Sequence, residues 1–211
     1  MGGSRFTSKP FEFRVEDAHF FVHLDLLAEH SQPLHTLATI DMKEKEQGYA
    51  ELQGVTAETF SRFLEWIYGG SYTLPAPKQV TVTEDGKQLE QPLQTNVYLA
   101  LTKLYAFAQE RDVQALKSRA LADLHKTHSA AANIRSRFDI ATILRYVYEN
   151  TTPASGKDLE PLRAFAMNNF CDIFSLTQLI EGCGIESVIR EDADFMKDYM
   201  WMLAKRQPPI S

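Results

Sequence analysis

From the amino terminus, polar and apolar positions first alternate with a period of two. Phe11, Phe13 and Val15 are separated by Glu12 and Arg14, the pattern of a strand with one buried face. A second short strand is predicted over His19–Val22, after a turn at Glu16-Asp17-Ala18. Leu24 to His30 reads as a short helix with Leu26 and Leu27 inward. Ser31-Gln32-Pro33 breaks it, and Leu34, Leu37 and Ile40 mark another helical turn. Tyr49 to Leu52 is a third strand candidate, beginning after Gly48. At Thr56 the period changes to 3.6: Phe60, Phe63, Leu64, Ile67 and Tyr68 form one stripe, with Thr56 as N-cap, Glu58 in the first turn and Gly69-Gly70 as the stop.

Residues 73–96 interrupt the pattern. They hold Pro75, Pro77 and Pro92, and an Asp85-Gly86 pair after alternating valines, the signal of an inserted loop carrying a two-stranded ribbon. Helical spacing resumes with Val97, Leu101, Leu104, Tyr105 and Ala108. Asp112 is positioned to cap a further helix, whose stripe is Val113, Leu116, Ala120, Leu121 and Leu124. After His128 only helices are predicted. One is lined by Ile140, Ile143, Leu144 and Val147; the next by Leu162, Phe165, Ala166 and Phe170, with Asp158 as cap. A short one runs near Ile173 to Ile180, and the last carries Ile185, Val188, Ile189, Met196, Tyr199, Met200 and Leu203. Strands with short helices first and helices alone afterwards predict an α+β module followed by a helical annex.

Composition narrows the partners. Of 211 residues, 22 are Lys or Arg and 28 are Asp or Glu, a formal net charge of −6. Such a chain has no general attraction for a nucleic-acid backbone or an anionic lipid surface, so neither is expected as a partner. The basic residues Lys117, Arg119, Lys126, Arg135 and Arg137 read as solvated helix faces. No apolar run reaches the roughly 18 residues of a spanning helix, and Met1-Gly2-Gly3-Ser4-Arg5-Phe6 has no secretory character. The two cysteines, Cys171 and Cys183, lack zinc-ligand spacing and suit a reducing compartment, so an intracellular protein of cytoplasm or nucleus is expected.

Candidate chemistry is sparse. The chain has no nucleophile elbow, no H-E-x-x-H, no phosphate loop and no dinucleotide fingerprint. Asp192-Ala193-Asp194 begins like a calcium loop, but Met196 stands where the next oxygen ligand belongs. His125 and His128, at i and i+3, could share a metal only with a third ligand that the sequence does not supply. His23, between Val22 and Leu24, reads as a buried hydrogen-bonding residue rather than a catalyst. No catalytic site, metal or cofactor is expected, and the chain is not expected to be an enzyme. Trp66 falls off the apolar stripe of its helix and, with Tyr72, is a candidate contact residue.

Four ordered blocks carry a resemblance. Phe21-Val22-His23-Leu24-Asp25-Leu26-Leu27-Ala28-Glu29-His30-Ser31 resembles the F-x-V-H-x-x-L-L-x-x-x-S signature of BTB/POZ domains. Glu51 to Phe60 is similar to that family's strand-to-helix segment, and Phe63-Leu64-Glu65-Trp66-Ile67-Tyr68-Gly69-Gly70 to its helix end F-L-x-x-h-Y-T-G. Leu104 to Leu116 is similar to its L-Y-x-L-A-x-x-Y-x-h-x-x-L block. The insert after Tyr72 and the acidic, short format resemble the BTB proteins of filamentous fungi.

The resemblance implies an α+β BTB/POZ fold over residues 1–128, a small mixed sheet capped by a helical cluster, with 129–211 as a helical C-terminal extension. It implies protein association, in one of two roles. The first is substrate adaptor, joining a client to the cullin scaffold of a ubiquitin ligase. The adaptor subset carries a hydrophobic-x-Glu motif that Met42-Lys43-Glu44 matches, and Tyr68 matches the family tyrosine on the cullin face. The second is a homo-oligomerising structural or transcription-associated scaffold. Leu24, Leu34 and Arg111 replace the usual basic residue, Phe and aromatic, which weakens the transcription reading. Only Met1 to Pro10 precede the first strand, so a strand-swapped homodimer is not expected.

Overall fold

The structure is a computed structural model that describes residues 8–40, 47–84, 87–93, 95–130, 137–153, 158–170 and 193–206. Asp85-Gly86, Cys171, Cys183, the segment around Ile173 to Ile180 and the positions Ile185, Val188 and Ile189 lie outside the described residues. The chain forms two compact units, Met1–Leu74 with Lys103–Arg119, and Pro75–Thr102 with Ala120–Ser211.

The first unit is built on a three-stranded mixed sheet of order β2-β1-β3. Strand β1, Pro10–Val15, pairs antiparallel with β2, Ala18–His23, and parallel with β3, Tyr49–Glu51. The two-residue turn between β1 and β2 holds Glu16 at a φ of +54°. The alternation read from the sequence is realised, since Phe11, Phe13 and Val15 are buried while Glu12 and Arg14 face outward. Phe13 pairs with Phe20 and Ala50, so one face of all three strands is apolar.

Helices α1, Leu24–His30, and α2, Gln32–Thr39, follow the hairpin. Ser31 ends one and caps the other. Its amide donates to the Leu27 carbonyl at 2.8 Å, and its hydroxyl accepts from the Leu34 amide at 3.4 Å, with Pro33 in the first turn where a missing N–H is harmless. The same hydroxyl donates to the Arg111 carbonyl at 2.7 Å, a bond across 80 residues. Ile40, expected inward, is 67% exposed, because α2 ends at Thr39 before its stripe completes another turn.

Helix α3, Ala57–Gly69, is capped by Thr56, whose hydroxyl accepts from the Thr59 amide, and it is closed by Gly70 at a φ of +73°. The Glu16 carboxylate accepts from the Ala57 amide at 2.9 Å, adding a negative charge at the positive end of the helix. Phe60, Phe63 and Ile67 are buried. Phe60 is the hub of the core, with ring centroids 5.1 Å from Phe20, 5.6 Å from Phe13, 5.7 Å from Phe63 and 6.1 Å from Phe107. Such tilted and edge-on pairs suit the ring quadrupoles.

Beyond the insert, α4, Thr95–Glu110, and α5, Gln114–Ala130, are joined by a tight reversal. Asp112 does not cap α5, as its position suggested. It takes the left-handed conformation, φ +54°, that terminates α4, with the Asp112 amide on the Gln109 carbonyl at 3.3 Å and the Val113 amide on the Ala108 carbonyl at 2.7 Å. The Asp112 carboxylate instead accepts from the Gln114 side chain.

In the second unit the insert is a hairpin, β4, Lys78–Glu84, paired antiparallel with β5, Lys87–Leu93. Helices α6, Arg137–Asn150, α7, Pro161–Phe170, and α8, Ala193–Arg206, follow. The predicted stripes of α6 and α7 are buried. The cap of α7 is Glu160 rather than Asp158: its carboxylate accepts from the Leu162 and Arg163 amides at 2.8 and 3.0 Å. On α8 the buried face is Phe195, Asp198, Tyr199 and Met202, whereas Met200 and Leu203, expected inward, are exposed.

The α6–α7–α8 junction is held by Arg163, which is 2% exposed. Its Nε donates to the Thr151 hydroxyl at 2.9 Å and a terminal N–H to the Thr151 carbonyl. Nη1 lies 3.4 Å from Asp194 and 3.5 Å from Asp198, and the guanidinium stacks on Tyr148 at 4.5 Å. The Tyr148 hydroxyl donates to Asp198 at 3.0 Å. A buried guanidinium is tolerable only when paired and hydrogen-bonded in this way. Burial pushes the Asp198 carboxyl above its ordinary 3.8, with Tyr148 and Arg163 pulling the other way.

Ser31→Ala removes the α2 cap and orphans the Arg111 carbonyl. The expected loss is about 2 kcal/mol of stability, seen as a lower urea midpoint with an unchanged slope.

Candidate partner-binding face

Helix α3 carries two of the three aromatic residues singled out from the sequence, Trp66 and Tyr68; Tyr72, beyond its end, is half-buried against the core. Tyr68 was expected on the buried stripe; it is 38% exposed. It follows Ile67 by about 100° around the helix, and the helix stops one residue later, so no further turn covers it. Trp66, two positions back and so about 200° away, is half-buried at the margin of the core. Its ring meets His30 edge-on at 5.1 Å. The structure therefore places the two aromatics on different sides of one helix end. Met42, Lys43 and Glu44 lie outside the described residues.

Tyr68 is exposed and yet fastened. Its hydroxyl oxygen accepts from the His23 backbone amide at 3.2 Å and lies 2.8 Å from His23 Nδ1. With neutral imidazole the arrangement that satisfies both groups has the amide donating to the oxygen and the O–H donating to Nδ1. The rings also meet edge-on, with centroids 5.9 Å apart. His23 is a hydrogen-bonding residue as its neighbours suggest, but it is half-buried rather than buried, and its partner lies 45 residues away.

A second polar constellation covers the outer face of the sheet. Cross-strand register sets Arg14 between His19 and Glu51, and Glu12 between Phe21 and Tyr49. Glu12 accepts from Arg14 Nε at 2.7 Å and meets His19 Nδ1 at 2.8 Å. These bonds, from Arg14 first and then His19, hold the Glu12 carboxyl below its ordinary 4.5. The Arg14 guanidinium also stacks on the Tyr49 ring at 3.5 Å. A cleft of about 500 Å³ opens beside the row, lined by Arg14, Glu16, His19, Glu51 and the 52–56 turn. Alternation alone could place these groups on the outer face; only register could pair them.

The two histidines weighed for metal binding sit among rings in the second unit. His125 meets Phe165 edge-on at 4.9 Å, and His128 meets Phe165 and Phe170 at 6.1 and 6.3 Å. His128 Nδ1 is 3.4 Å from the Tyr98 hydroxyl, whose pKa burial raises to about 12. Loss of hydration, and then the neighbouring His125, lowers the His128 pKa from 6.5. No cluster of three His, Cys, Asp or Glu able to hold a metal occurs among the described residues.

A small mixed sheet against short helices, with an aromatic fastened at an exposed helix end, defines an α+β domain. Residues 11–111 match the BTB/POZ domain, and this segment of the chain is a BTB/POZ domain. The chain is 33% identical over 93 residues to Kelch-like protein 15 of Danio rerio, covering 44% of this chain and 14% of that protein. It is 38% identical over 60 residues to Kelch-like protein 15 of Gallus gallus and of Homo sapiens, covering 28% of this chain and 12% and 10% of those proteins. The similarity thus spans about a seventh or less of the relatives' length. No described helix is long and apolar enough to cross a membrane.

The histidine cluster makes the second unit sensitive to acid. Because the folded state lowers the His128 pKa, the unfolded chain binds the proton more readily. The stability this group contributes is full above 6.5 and is lost as pH falls through that value. The melting temperature is expected to drop between about pH 7.5 and about pH 5.5, and His128→Gln to flatten that drop in a thermal scan.

Proposed function

We propose that the chain is an adaptor whose BTB/POZ domain binds the cullin scaffold of a ubiquitin ligase through Met42, Glu44 and Tyr68. Lys43 stands between Met42 and Glu44 in the sequence, and Trp66 flanks the helix end; the helical region 129–211 receives the client. The observation that carries this reading is the fastened, exposed Tyr68, at the family's cullin-facing tyrosine position. A rigid aromatic at a surface loses little freedom on binding, which is what an interface anchor requires. The unbranched Met42 suits an apolar notch on a partner, and the Glu44 carboxylate can accept from backbone amides.

The test is titration calorimetry with a cullin amino-terminal domain. Tyr68→Ala, and the double variant Met42→Ala/Glu44→Ala, are each expected to weaken binding by about tenfold or more. Absence of binding by the unaltered chain, or binding by both variants as tight as that of the unaltered chain, sinks the reading. A second reading, self-association as a homo-oligomeric scaffold, is favoured by Phe21, which is 61% exposed on the sheet's outer face. It requires a mass by light scattering that rises with concentration and falls in Phe21→Ser.

A further inference from the structure

We infer that His23 is a positioning residue for the partner-binding face, holding the Tyr68 hydroxyl in the orientation a partner meets; this rests on the reading of Tyr68 as a contact residue. The inference starts from what His23 does not do. It occupies the N-cap of α1, with extended backbone at φ −68° and ψ 129°, a position where Ser, Thr, Asp or Asn would accept from the first helical amides. Its side chain makes no capping bond. The Ser8 hydroxyl, 17 residues back, instead accepts from the Asp25 amide at 3.1 Å. The helix is thus served from elsewhere, while the imidazole turns to Tyr68 on α3.

The bond to Tyr68 does not read as a folding device. Tyr68 is 38% exposed and His23 half-buried, so water competes for both groups and the pair adds little to stability. Its clear effect is on orientation. The bond restricts the rotamers of a tyrosine at the last turn of a helix closed by Gly69-Gly70, and it limits the rotation of its hydroxyl. With the His23 amide donating to the oxygen and the O–H donating to Nδ1 of the neutral imidazole, ring and O–H are both set before a partner arrives.

The experiment is a double-mutant cycle on the full chain, read by calorimetry with the cullin amino-terminal domain and by melting temperature. His23→Phe keeps a ring against Tyr68 and removes only the acceptor; His23→Ala provides a second, smaller replacement if the first disturbs folding. Each is expected to weaken binding about fivefold, the scale of one hydrogen bond, with an unchanged melting temperature. In a Tyr68→Phe background neither is expected to cost anything further, because the group they orient is gone. Wild-type affinity in both His23 variants, with binding still lost in Tyr68→Ala, overturns the inference and leaves the contact assignment standing. Losses that multiply between His23 and Tyr68→Phe also overturn it, since they assign His23 a separate role. Full binding by Tyr68→Ala overturns the contact assignment and the inference together.

Discussion

The first unit depends on one buried hydroxyl. Ser31, 1% exposed, stands where α1 ends and α2 begins, and all of its polar groups are used. Its amide closes α1, its carbonyl accepts from the His35 amide, and its hydroxyl caps α2 while donating to the Arg111 carbonyl. A helix corner inside a core exposes backbone groups that are costly to bury unpaired. Ser31 satisfies those groups and, in doing so, ties the corner to the end of α4 across 80 residues. The serine that closes the family-like run Phe21 to Ser31 thereby has a physical explanation.

Around that corner the apolar parts follow simple rules. The inward face of the sheet, the stripe of α3 and the last turns of α4 meet at Phe60, whose ring contacts span three elements. The outward face of the same strands carries the exposed Phe21 beside a polar row paired through Glu12, Arg14 and His19. The second unit solves a harder problem with the buried Arg163, whose pairing to Thr151, Asp194 and Asp198 ties α7 to α8 and to the end of α6. Removing water from a guanidinium is affordable only because nearly every face of it is occupied.

The two aromatics on opposite sides of the α3 end are each backed by a histidine from the ends of α1, Tyr68 by His23 and Trp66 by His30. The orientation of α1, itself dependent on the Ser31 corner, therefore bears on the presentation of α3. The same run of chain builds the core through Leu26 and Leu27 and reaches the surface through His23.

The elements themselves were legible in the sequence because each rests on local periodicity or local capping chemistry. The strand alternation of 11–15, the stripe of α3 through Phe60, Phe63 and Ile67, the Thr56 cap, the glycine stop and the hairpin insert all follow from backbone geometry within a few residues. Misreadings fell where a local signal had two outcomes. Asp112 carries a carboxylate suited to a cap and a side chain that tolerates the left-handed region, and the Ala108–Val113 hydrogen bond selected the second. Asp158 lost the cap of α7 to Glu160, whose carboxylate reaches two amides. Tyr68, Met200 and Leu203 lie on predicted stripes but at the margins, where burial is decided by which neighbour arrives. By itself, then, the sequence determined the α+β order of elements, the inward faces and the family resemblance over the amino-terminal half. Only the tertiary structure decided the pairings across 45 and 80 residues, His23 with Tyr68 and Ser31 with Arg111, because hydrogen bonds between distant segments depend on how those segments pack and leave no periodic trace in the chain.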